Sequence, residues 1–492
     1  MKEAMSLRKN TLYNLLGPVA MLAVSLLTVP AYLGLIGETR YGVLAIVWAL
    51  LGYFGVFDLG LGRATAQEIA RIESRSRDEK ARALGTAISI NLGLAVVAFA
   101  ILWFALPFVF SDVLKIDEPI REEIGQIVPW LCFAVPVATI SAVLGGALQG
   151  ASQFRALNLI LVLGALLFQL VPLGLAYEFS NSLALLIPGA LLTRIVTLFL
   201  MLLFVARSIT GWNLLHCDRS TARRLVSFGS WVTISSIVGP LMTMLDRFVI
   251  GALQGARQVA HYTVPFNLAD RTTLIASALG STLFPRFSEL PEDDARRLLG
   301  MGSDRLLVAM TPLFAVAILA VGPFLEIWID PEFAAEAAPV GRLLLLAFFV
   351  NAVAYLPFSF IQARGRPDII AKIHLCELLP YFALLAAGLW LFGLWGAGLA
   401  FLLRVGADTI LMLGFAGVLA EMFRKLVMPL IILAVTLVLS STFESWSQLW
   451  WLSFAFVASA ASGWAFVSMP TSLRTEIIDR LTSVFRGSEQ GG

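Results

Sequence analysis

LVSFGSWVTISSIVGPLMTMLDRFVIGALQGARQVAHYTVPFNLADRTTLIASALGSTLFP, residues 225–285, is apolar enough to cross a membrane twice, yet it carries two acid–base doublets, Asp246-Arg247 and Asp270-Arg271. An ionised side chain at bilayer depth costs roughly 2.5–3.5 kcal/mol on insertion scales, so such groups persist where they face a protein interior or a watery cavity. A cavity of that kind in a membrane protein is a route for a solute.

The rest of the chain agrees with a membrane setting. Of its 492 residues 59% are hydrophobic and only 14% charged, and the mean hydropathy is +0.85, well outside the range of soluble domains. The net charge of +2 says little about partners, because the basic residues follow membrane topology and are not gathered into a nucleic-acid patch; no nucleic-acid partner is expected. Cys132, Cys217 and Cys376 fall in two apolar spans and one basic loop, so no disulfide is expected. The apolar run from Leu12 to Ile36 is longer than a signal-peptide core and lacks a small-residue cleavage site; it reads as an uncleaved first helix.

Taking about 20 apolar residues per crossing, the sequence predicts an all-α integral membrane protein of about 14 transmembrane helices. The first six lie near 11–36, 41–62, 84–110, 124–148, 155–177 and 183–206; six more near 225–251, 260–285, 304–329, 338–362, 369–391 and 396–419; a final pair near 426–443 and 447–469. The domain division is a first lobe over 1–206, a cytoplasmic linker over 207–224, a second lobe over 225–419, the helix pair within 420–469 and a cytoplasmic tail over 470–492. With both termini inside, 26 of the 35 lysines and arginines fall on cytoplasmic segments and 5 (Arg40, Lys115, Arg121, Arg257 and Arg342) outside; Arg194, Arg247, Arg271 and Arg404 lie within spans. That asymmetry is the one the positive-inside rule demands. Segments 64–83 and 473–486 show helical spacing of apolar residues and read as lying along the inner leaflet, while residues 487–492 read as disordered.

The two groups of six echo one another. Ala-Leu-Gln-Gly (147–150), followed by Arg155 and Asn158, matches Ile-Gln-Ala (361–363), followed by Asp368 and Lys372; Gly189 and Arg194 match Gly398 and Arg404. Repeated halves place a substrate site at their interface near the midplane, with transport by rocking of one half against the other.

Adjacent helical residues point about 100° apart, so Asp246 and Arg247 do not simply neutralise one another. Arg247 either meets an anionic ligand or links helices. Asp270-Arg271, among Asn267, Thr272 and Thr273, reads as cavity lining. Arg404 and Asp408 are four apart and can pair with each other, whereas Arg194 has only Thr193 and Thr197 nearby in its own span. Asp58 and Glu377 are either coupling sites for a proton or Na+, with His374 titrating near neutrality, or interface groups satisfied by Arg63 or Lys372. The substrate-binding set is therefore Arg194, Arg247, Arg271 and Arg404, and the ion-coupling set Asp58, Asp246, Asp270, Glu377 and Asp408. No phosphate loop and no H-E-x-x-H occurs, and His216, His261 and His374 are scattered, so neither ATP hydrolysis nor metal-dependent catalysis is supported and no cofactor is expected beyond the coupling ion. What remains is a carrier rather than an enzyme.

Asn-Thr-Leu-Tyr-Asn-Leu-Leu-Gly (10–17), Tyr41-Gly-Val-Leu, Phe-Asp-Leu-Gly-Leu-Gly-Arg-Ala (57–64), Ala-Leu-Gln-Gly (147–150) and Leu-Asp-Arg-Phe-Val-Ile-Gly (245–251), in that order and spacing, resemble the oligosaccharide-lipid (O-antigen type) flippases of the polysaccharide transporter branch of the multidrug/oligosaccharidyl-lipid/polysaccharide (MOP) superfamily. The resemblance covers most of the chain and thins after about residue 420. It implies two pseudo-symmetric six-helix lobes with a cationic central cavity in the bacterial inner membrane. Its implied substrate is a polyprenyl-pyrophosphate-linked oligosaccharide, moved from inner to outer leaflet in exchange for H+ or Na+, with polysaccharide assembly proteins as partners. A pyrophosphate calls for arginines and its sugars for a wet lumen.

Two other functions compete. A drug or cation exporter of the related multidrug and toxin extrusion (MATE) type calls for an acidic cavity, whereas four intramembrane arginines here nearly match five buried acids. A membrane glycosyltransferase needs a sizeable external loop, and no outer connection exceeds about a dozen residues. The topology is directly testable: reporters fused after Gly211 or Ser288 should register cytoplasm and those after Asp117 or Glu332 the outside, and the reverse at either pair would overturn the assignment of faces.

Overall fold

The computed structural model describes the backbone of residues 2–72, 74–116, 118–212, 218–469 and 474, and the side chains of these apart from 2–22, 56, 111 and 227–244. The segment expected to be amphipathic over 473–486 lies, Arg474 excepted, outside the described residues, as do Cys217 and residues 487–492. The described residues form helices and turns only. Ten of the helices are long and apolar enough to cross a membrane. Helices satisfy their interior backbone groups within their own segment, which a lipid environment requires.

The chain divides into two compact units, residues 1–260 and 261–492. The first contains α1 (Lys2–Tyr53), α2 (Leu61–Arg71), α3 (Arg77–Phe108), α4 (Glu118–Gly150), α5 (Phe154–Glu178), α6 (Leu183–Val205) and α7 (Arg219–Gln254). Gly37, at φ 77°, breaks α1 where the sequence places the turn between its first two spans. Only glycine adopts that conformation without strain. The expected span over 41–62 is shorter than predicted: its helix stops at Tyr53, a 3-10 turn covers Phe54–Asp58, and α2 follows.

Asp58 governs that transition. Its Oδ1 accepts from Gly60 N at 2.7 Å and its Oδ2 from Gly62 N at 3.0 Å, while Leu59 and Gly60 both take positive φ. A carboxylate in this position satisfies the otherwise orphaned amides at the start of α2. The segment read as lying on the inner leaflet is in its first part a packed helix. Leu61, Ala64, Glu68 and Ile69 of α2 are buried, and α2 rests on α4 and α7. The α2–α4 contact is backbone on backbone. A Cβ on Gly146 would lie 2.0 Å from Gly62 O, and one on Gly150 2.3 Å from Ala66 O. Small residues at four-residue spacing let membrane helices approach this closely and gain van der Waals contact where no hydrophobic force drives association. Glu68 ties the same helix to α7, accepting from Arg71 at 2.7 Å and from Arg224 at 3.0 Å. The hydrogen bond from Arg71 is the main reason its carboxyl titrates below the ordinary range.

The second unit contains α8 (Ala256–Asp270, whose first turn lies in the first unit), α9 (Thr273–Glu289), α10 (Glu292–Trp328), α11 (Pro331–Ala363), α12 (Pro367–Phe415), α13 (Leu419–Thr442) and α14 (Gln448–Ser468). Here α11 is the central helix, packed by α9, α10 and α12, while α13 and α14 lean on α10. Gly393, at φ 59°, folds α12 into two arms. The arms nearly touch, since a Cβ on Gly396 would lie 1.9 Å from Gly388 O.

Gly146→Leu should destabilise the first unit by at least about 1–3 kcal/mol, the usual cost of overpacking, because its side chain has no space in front of Gly62. Thermal unfolding in detergent measures this; an unchanged midpoint would show that the α2–α4 contact is looser than described.

Candidate functional site

The first unit carries a half-open cavity of about 340 Å³. Its walls are the end of α1 with the following turn (Leu51, Gly52, Gly55), α4 (Val137, Ala138, Ser141), α5 (Leu161 to Gln169) and α6 (Arg194, Thr197, Met201). Arg194 is the one charged residue among the described residues of this lining. Its guanidinium carbon sits 4.6 Å from the centre of the Phe168 ring, a cation–π contact that partly offsets its removal from water. Its Nε is buried without a hydrogen-bond acceptor, and Gln169 Oε1, in the same wall, is buried without a donor. No described carboxylate lies within ion-pair distance of Arg194. A desolvated guanidinium left without a counter-ion is costly unless an anion visits it. Gln169 was not among the residues singled out from sequence, although a glutamine in the otherwise apolar run 155–177 is the signal that marks it.

The other sequence-selected residues occupy different surroundings. Asp246, fully buried on α7, accepts from the backbone N of Arg247 at 2.7 Å, and the guanidinium Nη1 comes within 3.8 Å of the same oxygen. The doublet is thus closer to self-neutralising than helical spacing implies, because the aspartate turns back along its own backbone; both residues also have further partners. Neither lines the Arg194 cavity.

Asp270 and Arg271 do not lie within a continuous helix, contrary to the span expected over 260–285. Helix α8 ends at Asp270, and α9 begins at Thr273. At the break Thr272 Oγ1 donates to Ala269 O at 2.6 Å and Thr273 Oγ1 to Asp270 O at 2.7 Å. Hydroxyls competing for helical carbonyls offer the backbone an alternative to the helix. Asp270 is exposed there and has a partner of its own.

Arg404, Glu377 and Asp408 are brought together by the fold of α12, with pairings different from those read from sequence. Arg404 Nε approaches Glu377 Oε2 at 3.4 Å, and Asp408 Oδ1 faces His374 Nε2 at 3.7 Å. Lys372, the expected partner of Glu377, instead binds Asp368 at 3.1 Å. Spacing of four along one helix permits the Arg404–Asp408 pair, but the bend at Gly393 offers Arg404 a carboxylate on the opposite arm. Tyr381 completes the group, its ring 5.8 Å from the Arg404 guanidinium. Asp58, by contrast, spends both oxygens on backbone amides of α2.

A family model described as polysaccharide biosynthesis protein matches residues 7–291 of this chain. The chain belongs to that family. A putative O-antigen transporter of Shigella flexneri is 29% identical over 413 residues, covering 83% of this chain and 97% of the relative. The lipopolysaccharide biosynthesis protein WzxC of Escherichia coli is 22% identical over 418 residues, covering 83% and 81%. In fold the chain is similar to the lipid II flippase MurJ in an inward closed conformation, with a TM-score of 0.71 at 12% identity over 92% of this chain and 98% of that one. It is also similar to an inward-facing MATE transporter of the MOP superfamily, with a TM-score of 0.64 at 16% identity over 82% and 96%. This family member is thus a multi-pass membrane transporter and not an enzyme.

Within this family member the Arg404–Glu377 pair should behave as a coupled unit. Removing the guanidinium alone (Arg404→Ala) leaves a buried carboxylate uncompensated and should cost about 3–5 kcal/mol, while the double variant Arg404→Ala/Glu377→Gln should recover a substantial part. A double-mutant cycle of thermal stability decides it: strictly additive losses would mean the two side chains do not interact.

Proposed function

We propose that this chain moves a polyprenyl-pyrophosphate-linked oligosaccharide from the inner to the outer leaflet of the bacterial cytoplasmic membrane by alternating access. The reading is carried by Arg194, a desolvated guanidinium facing a cavity with no carboxylate beside it, in a chain whose relatives are named for O-antigen transport and lipopolysaccharide biosynthesis. A pyrophosphate supplies the missing charge, and the planar fork of arginine suits its oxygens. Arg247, Arg271 and Arg404 are proposed as further stations for the same anion.

The architecture that goes with this function has fourteen spans in two six-helix lobes, over 1–206 and 225–419, joined by the linker 207–224. The pair within 420–469 and the tail over 470–492 follow, with both termini in the cytoplasm. Positive-inside counting supports that orientation.

The driving ion is proposed to be H+ or Na+, taken up on carboxylates. Of Asp58, Asp246, Asp270, Glu377 and Asp408, the pair Glu377 and Asp408 is best supported, because both are buried in one group with a single arginine between them. Asp58 is the weakest, its oxygens being occupied by backbone amides. A drug or cation exporter is not favoured, since the cavity of the first unit carries a cation. Polysaccharide assembly proteins are the partners this function implies.

The test separates binding from architecture. Arg194→Ala should abolish surface delivery of the lipid-linked sugar while leaving thermal stability intact, since no acid depends on it, and Arg194→Lys should retain partial export. Arg247→Ala should lose stability as well as export, leaving Asp246 unbalanced. Wild-type export by a stably folded Arg194→Ala would remove the anion site.

A further inference from the structure

The bend at Gly393 builds two neighbouring rungs between the arms of α12. His374 Nε2 faces Asp408 Oδ1 at 3.7 Å in one, and Arg404 Nε faces Glu377 Oε2 at 3.4 Å in the next. His374 and Glu377 are three apart on the first arm, Arg404 and Asp408 four apart on the second, so the rungs stack on one another. All four side chains lie largely out of water, at 8–21% exposure.

The other charged groups around α12 are engaged elsewhere. Of the elements packed on it, α11 has no charged side chain between Arg342 and Arg364, and Tyr355 is the titratable residue of that stretch. On α13, Lys425 binds Glu421 at 2.6 Å and Asp304 at 2.7 Å, and Arg424 donates to Ala420 O. Helix α8 touches α12 through Phe266 and Phe401; its His261 faces Glu336 at 3.0 Å, and its Asp270 is exposed with a partner of its own. On α12 itself, Lys372 is held by Asp368 at 3.1 Å.

Two carboxyls, one guanidinium and one imidazole are left to balance each other. With both acids ionised and the imidazole neutral, the group carries one excess negative charge, which is costly at this burial. It is also short of donors: both oxygens of Glu377 and Oδ1 of Asp408 are buried without a hydrogen bond, whereas buried acceptors are normally satisfied. One proton on a carboxyl repairs both faults, since it removes the charge and turns an acceptor into a donor. On His374 it would remove the charge but supply Asp408 with nothing new, because the neutral ring can already present an N–H at Nε2. Na+ fits poorly. It takes several oxygens with no donor among them, and here a guanidinium stands against one acid and an imidazole against the other.

We infer that His374, Glu377, Arg404 and Asp408 form a site for a single proton, shared by the carboxyls of Glu377 and Asp408 and closed to Na+ by His374 and Arg404. This deepens the coupling role proposed above and rests on it for the use made of the proton, not for its binding.

Infrared spectroscopy of the full-length protein in lipid nanodiscs at neutral pH tests this without substrate, through the C=O stretch that a protonated carboxyl shows and a carboxylate does not. Wild type should show one protonated carboxyl more than Glu377→Gln and one more than Asp408→Asn, since either change leaves one acid against one guanidinium and the group neutral with no proton bound. The double variant should lose no more than each single one, the mark of a shared proton. If the double variant folds poorly, the single variants still decide: loss confined to one of them overturns the sharing. His374→Phe should keep the band, because the carboxyl and not the ring holds the proton. Exchange of K+ for Na+ should leave the wild-type band unchanged. A band equally strong in wild type and both single variants, additive losses in the double variant, loss of the band in His374→Phe, or its displacement by Na+ would overturn the site. Export is not read, so a protein that fails to move the carrier can still show the proton, and failure of the transport reading and failure of this one are distinguishable.

Discussion

The first unit depends on how closely α2 and α4 approach. Apolar side chains gain little by leaving lipid for a protein interior that is equally apolar, so helix association in a bilayer rests on close van der Waals contact. Gly62, Ala66, Gly146 and Gly150 supply it by bringing backbone onto backbone. The same α4 that is held there sends Val137, Ala138 and Ser141, two to three turns before Gly150, into the wall of the Arg194 cavity. Asp58 starts α2 in the direction that makes the contact. A motif that in sequence looks like a coupling carboxylate among glycines is, in space, the joint that sets one wall of the cavity.

Against that frame the four intramembrane arginines meet four different environments. Arg247 is matched by Asp246, Arg404 by Glu377, and Arg271 lies at a helix break among threonines. Arg194 alone stands over an aromatic ring with no acid near it. Burying an ion pair is roughly neutral in energy, while burying one partner without the other is not. Under the proposed function, Arg194 is therefore the one of these four at which an anion would gain most, and this orders them as candidate binding groups more sharply than their sequence positions do.

The helix breaks carry the same logic. Gly37 and Gly393 take left-handed conformations that side chains resist, and the sequence shows them as glycines between two apolar runs. The break at Asp270–Thr272 is different in kind: threonine hydroxyls donate to helical carbonyls there, and no glycine or proline stands at the break to announce it.

The sequence by itself determined the membrane class, the helical architecture and the transport function, because hydropathy, positive-inside asymmetry and the order of motifs are properties of the chain alone. Only the tertiary structure decided what each charge meets. Helical periodicity states where a side chain points relative to its own axis and nothing about which neighbour stands there, so Glu377 could be read with Lys372, and Arg404 with Asp408, until the bend at Gly393 set one arm of α12 against the other. The same limit hid Gln169, which shares a cavity wall with Arg194, since the two lie on different helices and line one space only through packing.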